Sequence, residues 1–80
     1  RVSPNPFADW FWVEIPEFAS GVRRPLTLEV SDLTGRLFLK TNFENQRIRL
    51  ERGALPAGML LLHLRDASGS VLAIGRAVAR

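Results

Sequence analysis

The sequence predicts an all-β chain, a small antiparallel β-sandwich of about seven strands, on three observations. Apolar and polar residues alternate with a period of two in several short runs. Turn-forming Gly, Pro, Asn, Asp and Ser separate these runs roughly every 8–12 residues. No apolar stretch combines the length and the period of a stable helix. Short strands at this spacing are the pattern of an immunoglobulin-like sandwich.

The elements follow in order. Pro4-Asn5-Pro6 opens the fold, and Trp10 to Ile15 is the first clear strand. Phe11, Val13 and Ile15 share one face of it, with Trp10, Trp12 and Glu14 on the other. Pro16 is expected to end that strand and Ser20-Gly21 to interrupt the connection that follows. Leu26 to Ser31 places Leu26, Leu28 and Val30 inward, and Leu37, Phe38 and Leu39 form a short strand after the Thr34-Gly35 turn. Asn42 to Gln46 reads as a break, and Arg47 to Glu51 as a strand with Ile48 and Leu50 inward. After Leu55-Pro56-Ala57-Gly58, Met59 to Leu64 is apolar on both faces and is expected to be a central strand covered on each side. Ser68-Gly69 separates it from a last strand, Val71 to Val78. The whole of 1–80 reads as one domain, without repeats or low-complexity segments.

Composition bounds the function. Eighty residues, 46% apolar and 24% charged, make a globular chain with a single thin core. Without Met at position 1 it is expected to be a domain excised from a longer protein. Cysteine is absent, so thiol chemistry and disulfides play no part. No apolar run approaches the roughly 20 residues of a membrane span. The net charge of +3 comes from ten Arg and one Lys against eight acids, scattered rather than clustered. That is the pattern of a solvated mixed-charge surface, not of a nucleic-acid face. Arg47 and Arg49, with Arg52 just beyond, suit an edge strand blunted against unwanted pairing, or an anion contact.

Chemistry is thinly supported. His63, the single histidine, shares a strand face with Met59 and Leu61 and lacks a second histidine or a cysteine to complete a metal site. Carboxylates are separated by turns, and neither a nucleophile elbow nor a phosphate-cradling glycine loop is present. No enzyme activity, cofactor or metal is therefore expected. Trp10 and Trp12 either cover a sheet edge or form an aromatic platform for a sugar or a partner. The platform is the basis of an alternative reading, a carbohydrate-binding or adhesion module, and a sheet covering is preferred.

Several stretches then fall into a recognisable order: Pro4-Asn5-Pro6-Phe7, Asp32-Leu33-Thr34-Gly35-Arg36, Leu55-Pro56-Ala57-Gly58 leading into Met59-Leu60-Leu61-Leu62, Asp66 with Gly69, and the ending Arg76-Ala77-Val78 with Arg80. In this set and order, over residues 3 to 80, the chain resembles the type A C-terminal sorting domain of the type IX secretion system. The family commonly has tyrosine where Ser31 and Leu60 stand here, and a lysine-rich ending where this chain has arginine.

The resemblance implies an immunoglobulin-like sandwich that acts as an address. Its partners would be an N-terminal cargo domain and the outer-membrane translocon and sortase components of the type IX system. The cargo would pass through the periplasm to the cell surface or medium, and in many members a sortase-like peptidase removes the domain and attaches the cargo to the surface. Pro4, Asn5, Pro6, Phe7, Asp32, Leu33, Gly35, Leu55, Gly58, Asp66 and Gly69 would be structural motif residues. Arg36, Arg76, Ala77, Val78 and Arg80 are the candidates for translocon contact, with an Asp32–Arg36 salt bridge as the structural alternative for Arg36. Unpaired sheet edges favour a strand-swapped or edge-paired homodimer of the isolated domain.

Overall fold

A computed structural model of the chain describes residues 1–15 and 22–80. The expected stop at Pro16 and break at Ser20-Gly21 lie outside the described residues. The strands are β1 (Val2–Ser3), β2 (Trp10–Glu14), β3 (Leu26–Ser31), β4 (Leu37–Phe43), β5 (Arg47–Glu51), β6 (Gly58–Arg65) and β7 (Val71–Ala79). They form a three-stranded sheet, β1-β2-β5, and a four-stranded sheet, β4-β3-β6-β7, with every strand pair antiparallel. This is an immunoglobulin-like sandwich whose fourth strand has joined the second sheet instead of the first.

The alternation seen in the sequence is the packing. Phe11, Val13 and Leu50 from one sheet face Leu26, Leu28, Val30, Leu60, Leu62 and Leu64 from the other, all buried. Phe7 and Leu55 enter from connections, and the Phe7 and Phe11 rings lie 4.3 Å apart, tilted by 37°. On β7 the inward residues are small, among them Ala73, Gly75, Ala77 and Ala79, so the leucines of β6 carry most of that side. The small residues leave a cavity of about 140 Å³, lined by apolar groups including Val13, Ile15, Leu62, Leu64 and Gly75.

Two expectations are corrected, and one strand is added. β4 runs four residues past Leu39, through Phe43, so Asn42 does not begin a break. The polar Lys40 and Asn42 hide a strand because β4 is a sheet edge, and the Thr27 hydroxyl donates to Asn42 Oδ1 at 2.9 Å across it. β6 is central, between β3 and β7, but covered on one face only. Leu60, Leu62 and Leu64 are buried, while Met59, Leu61 and His63 are partly open to solvent, because the described chain supplies no third layer over them. β1 is a strand that two residues, Val2 and Ser3, are too few to announce by periodicity.

Two stability changes follow. Phe11→Ala removes a fully buried ring and is expected to cost about 3–5 kcal/mol, a large part of a small domain's stability, in urea denaturation. Gly75→Ala acts in the opposite direction. Its added methyl meets nothing within 4 Å and points into the cavity. It is expected to stabilise by about 0.5–1 kcal/mol, read as a melting temperature raised by several degrees.

Candidate functional site

The Pro4–Phe7 motif and the C-terminal strand, far apart in sequence, are one construction. The Asn5 side-chain oxygen accepts the Val78 amide at 2.9 Å. The Phe7 amide donates to the Val78 carbonyl at 2.8 Å, and the Arg80 amide donates to the Phe7 carbonyl at 2.9 Å. Phe7 thus forms a parallel bridge with Ala79 on the outer edge of β7. Arg52 closes the same corner: its guanidinium donates to the carbonyls of Leu55 at 3.0 Å and Ala8 at 3.2 Å, and to that of Arg80. Arg52, taken from the sequence as a surface cation, is a strut of this seam. Its sequence position, one residue past the end of β5, gives no signal of that role.

The Asp32 and Asp66 turns are built on one plan. Asp32 Oδ1 accepts the Thr34 amide at 2.9 Å, the Thr34 hydroxyl at 2.6 Å and the Arg36 amide at 3.0 Å. Asp66 Oδ1 accepts the Ser68 amide at 2.9 Å, the Ser68 hydroxyl at 2.6 Å and the Ser70 amide at 3.1 Å. In each turn the glycine amide returns to the Asp carbonyl, and Gly35 at φ +90° and Gly69 at φ +91° take the left-handed backbone that a side chain would strain. The sequence marks Thr34 and Ser68 as turn residues without a role for their hydroxyls. The shared spacing Asp-x-Thr/Ser-Gly is the signal that identifies them.

The Asp32–Arg36 salt bridge, the structural alternative for Arg36, is absent from the ion pairs of the described residues. The Asp32 carboxylate is occupied by Thr34 and by the Arg36 backbone, and the Arg36 guanidinium instead lies over the Phe38 ring, 5.4 Å from its centroid. Arg36 and Arg76 do not form one patch. Arg36 stands one residue before β4 and Arg76 lies on β7, the two outer strands of the sheet, with β3 and β6 between them. Ala77 is 0% exposed and belongs to the core, whereas Arg76 and Arg80 are exposed and Val78 is half-buried. Leu33, grouped with the structural motif residues, stands out at the turn with 67% exposure. Leu55 is buried beneath its turn, and Gly58 opens β6 at φ +110°.

Trp10 and Trp12 point outward on the three-stranded sheet, as expected, and each carries a guanidinium on its ring. Arg47 lies 4.0 Å from the Trp12 centroid and Arg49 lies 4.9 Å from that of Trp10. Arg49 also pairs with Glu51 at 3.3 Å. Stacking of this kind occupies an indole face that a sugar would need. Among the described residues no group of three or more His, Cys, Asp or Glu could hold a metal ion.

Hydrogen bonds from the Thr34 and Ser68 hydroxyls, helped by backbone amides, hold the Asp32 and Asp66 carboxyls below the usual range. The Arg65 guanidinium, 2.6 Å away, does the same for Glu29. Because folding depresses these acids, their contribution is complete above the unfolded values of about 3.9–4.3 and is lost as pH falls through the folded ones. Asn at positions 32 and 66 keeps an acceptor but no charge. The double variant Asp32→Asn/Asp66→Asn is expected to be less stable at neutral pH and to lose less stability on acidification below about pH 4. Urea denaturation across pH measures both effects.

No curated protein and no solved structure gives a significant match to the chain. The family model described as secretion system C-terminal sorting domain matches residues 1–73. The match takes in the Asn5–Phe7 half of the seam and both Asp turns, and it stops before Arg76, Ala77, Val78 and Arg80. Its members are sorting signals, not known as enzymes, whose cargo crosses the outer membrane with the secretion machinery. Among the described residues no helix is long and apolar enough to cross a membrane. With the motif residues holding the seam and the turns, and with most of its length matched, the chain belongs to the C-terminal sorting domains of the type IX secretion system.

Proposed function

We propose that residues 1–80 are a sorting domain joined behind the cargo domain of a longer exported protein. It carries that cargo from the periplasm through the outer-membrane translocon to the cell surface or medium. A sortase-like peptidase then removes the domain and attaches the cargo to the surface. The family match carries this reading. The seam between Asn5–Phe7 and Val78–Arg80 supports it physically, since an address must present one fixed shape and both motif regions are tied into it.

The translocon reads side chains that the fold leaves outside. Arg36, Arg76, Val78 and Arg80 meet that condition at least in part, and Ala77 does not. Deleting Ala77 to Arg80 therefore tests two things at once, because it removes core methyls and the partners of Asn5 and Phe7 as well as exposed arginines.

A reporter fused ahead of residues 1–80 is expected to appear outside a bacterium that has a type IX system, and to stay in the periplasm without the domain. Arg36→Ala, Arg76→Ala and Arg80→Ala combined should cut export several-fold while the purified domain melts as the wild type does. Full export of that triple variant removes these residues from recognition. Mass spectrometry of the external reporter decides the removal step: an intact domain on the released protein contradicts it.

A further inference from the structure

The outer face of the four-stranded sheet is divided in two. Toward the Asp66 turn it is polar and self-paired: Arg65 binds Glu29, and Lys40 lies across from Glu29. Toward the Asp32 turn the strand register sets Leu37, Ser31, Leu61 and Arg76 in one row across all four strands. Met59 pairs with Val78 in the next row, and Ile74, beside Arg76 on the same face of β7, ends the row that runs from Lys40 through Glu29 and His63. Leu37 is 51% exposed, Met59 40% and Ile74 64%. Ser31, on the outer face between Leu37 and Leu61, is only 7% exposed and lies in a shallow pocket that Leu37 shares with Glu29, His63 and Arg65.

Met59, Leu61, Ile74 and Val78 thus surround one cation, Arg76, with His63 between Ile74 and the Glu29 pair. The ion pairs of the described residues are Arg49–Glu51 and Arg65–Glu29, and neither involves Arg76. The opposite sheet treats its exposed aromatics differently, laying Arg47 and Arg49 over Trp12 and Trp10. Isolated exposed apolar residues are ordinary, whereas contiguous ones on a monomer mark contact surfaces. An unpaired guanidinium inside such a field calls for a carboxylate, because a desolvated charge must be matched.

We propose that this surface, Leu37, Met59, Leu61, Ile74 and Val78 around Arg76, docks the domain onto a component of the secretion machinery that presents a carboxylate ringed by apolar side chains. It rests on the export reading above and narrows it to one face. Arg36, whose guanidinium lies over Phe38, is left outside.

The test uses the reporter fusion, with each purified domain variant checked by thermal melting. Ile74→Asp and Met59→Asp, both at exposed positions, are expected to lower external reporter by about tenfold or more. Lys40→Asp, on the polar half of the same face, leaves export unchanged. Arg76→Glu blocks export, and Arg76→Lys retains most of it. Failure of the wild-type fusion to leave the cell overturns the export reading itself. A wild-type fusion that is exported, with folded Ile74→Asp and Met59→Asp exported equally well, overturns the docking face alone. Sedimentation of the wild-type domain addresses the other occupant: a dimer dissolved by Ile74→Asp assigns the face to a second copy and overturns the partner proposed here.

Discussion

Phe7 couples the hydrophobic core to the backbone ladder at a single residue, and the rest of the sandwich depends on that coupling. Its ring is sealed against Phe11 of β2, while its amide and carbonyl complete the edge of β7. One residue therefore ties the three-stranded sheet to the far edge of the four-stranded one. Asn5 and Arg52 add polar ties at the same corner, each satisfying backbone groups that would otherwise stand at an open edge. Because the partners lie at opposite ends of the sequence, the seam closes only after β7 is in place. Such long-range closure costs chain entropy that local hairpins do not.

The two hairpins of the four-stranded sheet rely on another device. A small domain has little apolar area with which to enforce loop geometry, and here two carboxylates do so by gathering three donors each. Local side chain-to-backbone bonds of this kind offer the chain an alternative to continuing a strand. The same two turns fix where β4 and β7 begin, and with them the register of both outer strands of the larger sheet. Arg65 links the Asp66 turn to the sheet by donating to the Gly69 carbonyl at 3.0 Å while it holds Glu29.

Much of this was legible in the sequence, for identifiable reasons. Inward and outward faces of β2, β3 and β5 followed from alternation, because each has one face on the core. β4 was read too short because an edge strand's outward residues are as polar as a loop's. β6 was read as covered on both sides because its leucines and methionine are apolar on both faces; only the sheet order shows that one side is open. The turns were legible as turns, but not the hydroxyls of Thr34 and Ser68 that complete them, since Ser and Thr are common in turns whether or not the side chain bonds the Asp. The seam was illegible. Nothing in Pro4-Asn5-Pro6-Phe7 indicates which strand it will meet, and nothing near Arg52 indicates three carbonyl partners.

That gap changes how the motif residues divide between shape and recognition. A motif read along the chain makes Arg76, Ala77 and Val78 look alike, whereas in the sheet successive residues point to opposite faces. Ala77 is committed to the core, and its neighbours are left to the outer face with Leu61 and Met59 beside them. The same division separates Leu33, out at the turn, from Asp32 and Gly35, which build that turn. Buried and hydrogen-bonded motif residues are accounted for by the fold they make. Only the residues left over can carry information to a partner. On the larger sheet Met59, Leu61, Arg76 and Val78 share the half of the outer face toward the Asp32 turn, where the described residues form no ion pair.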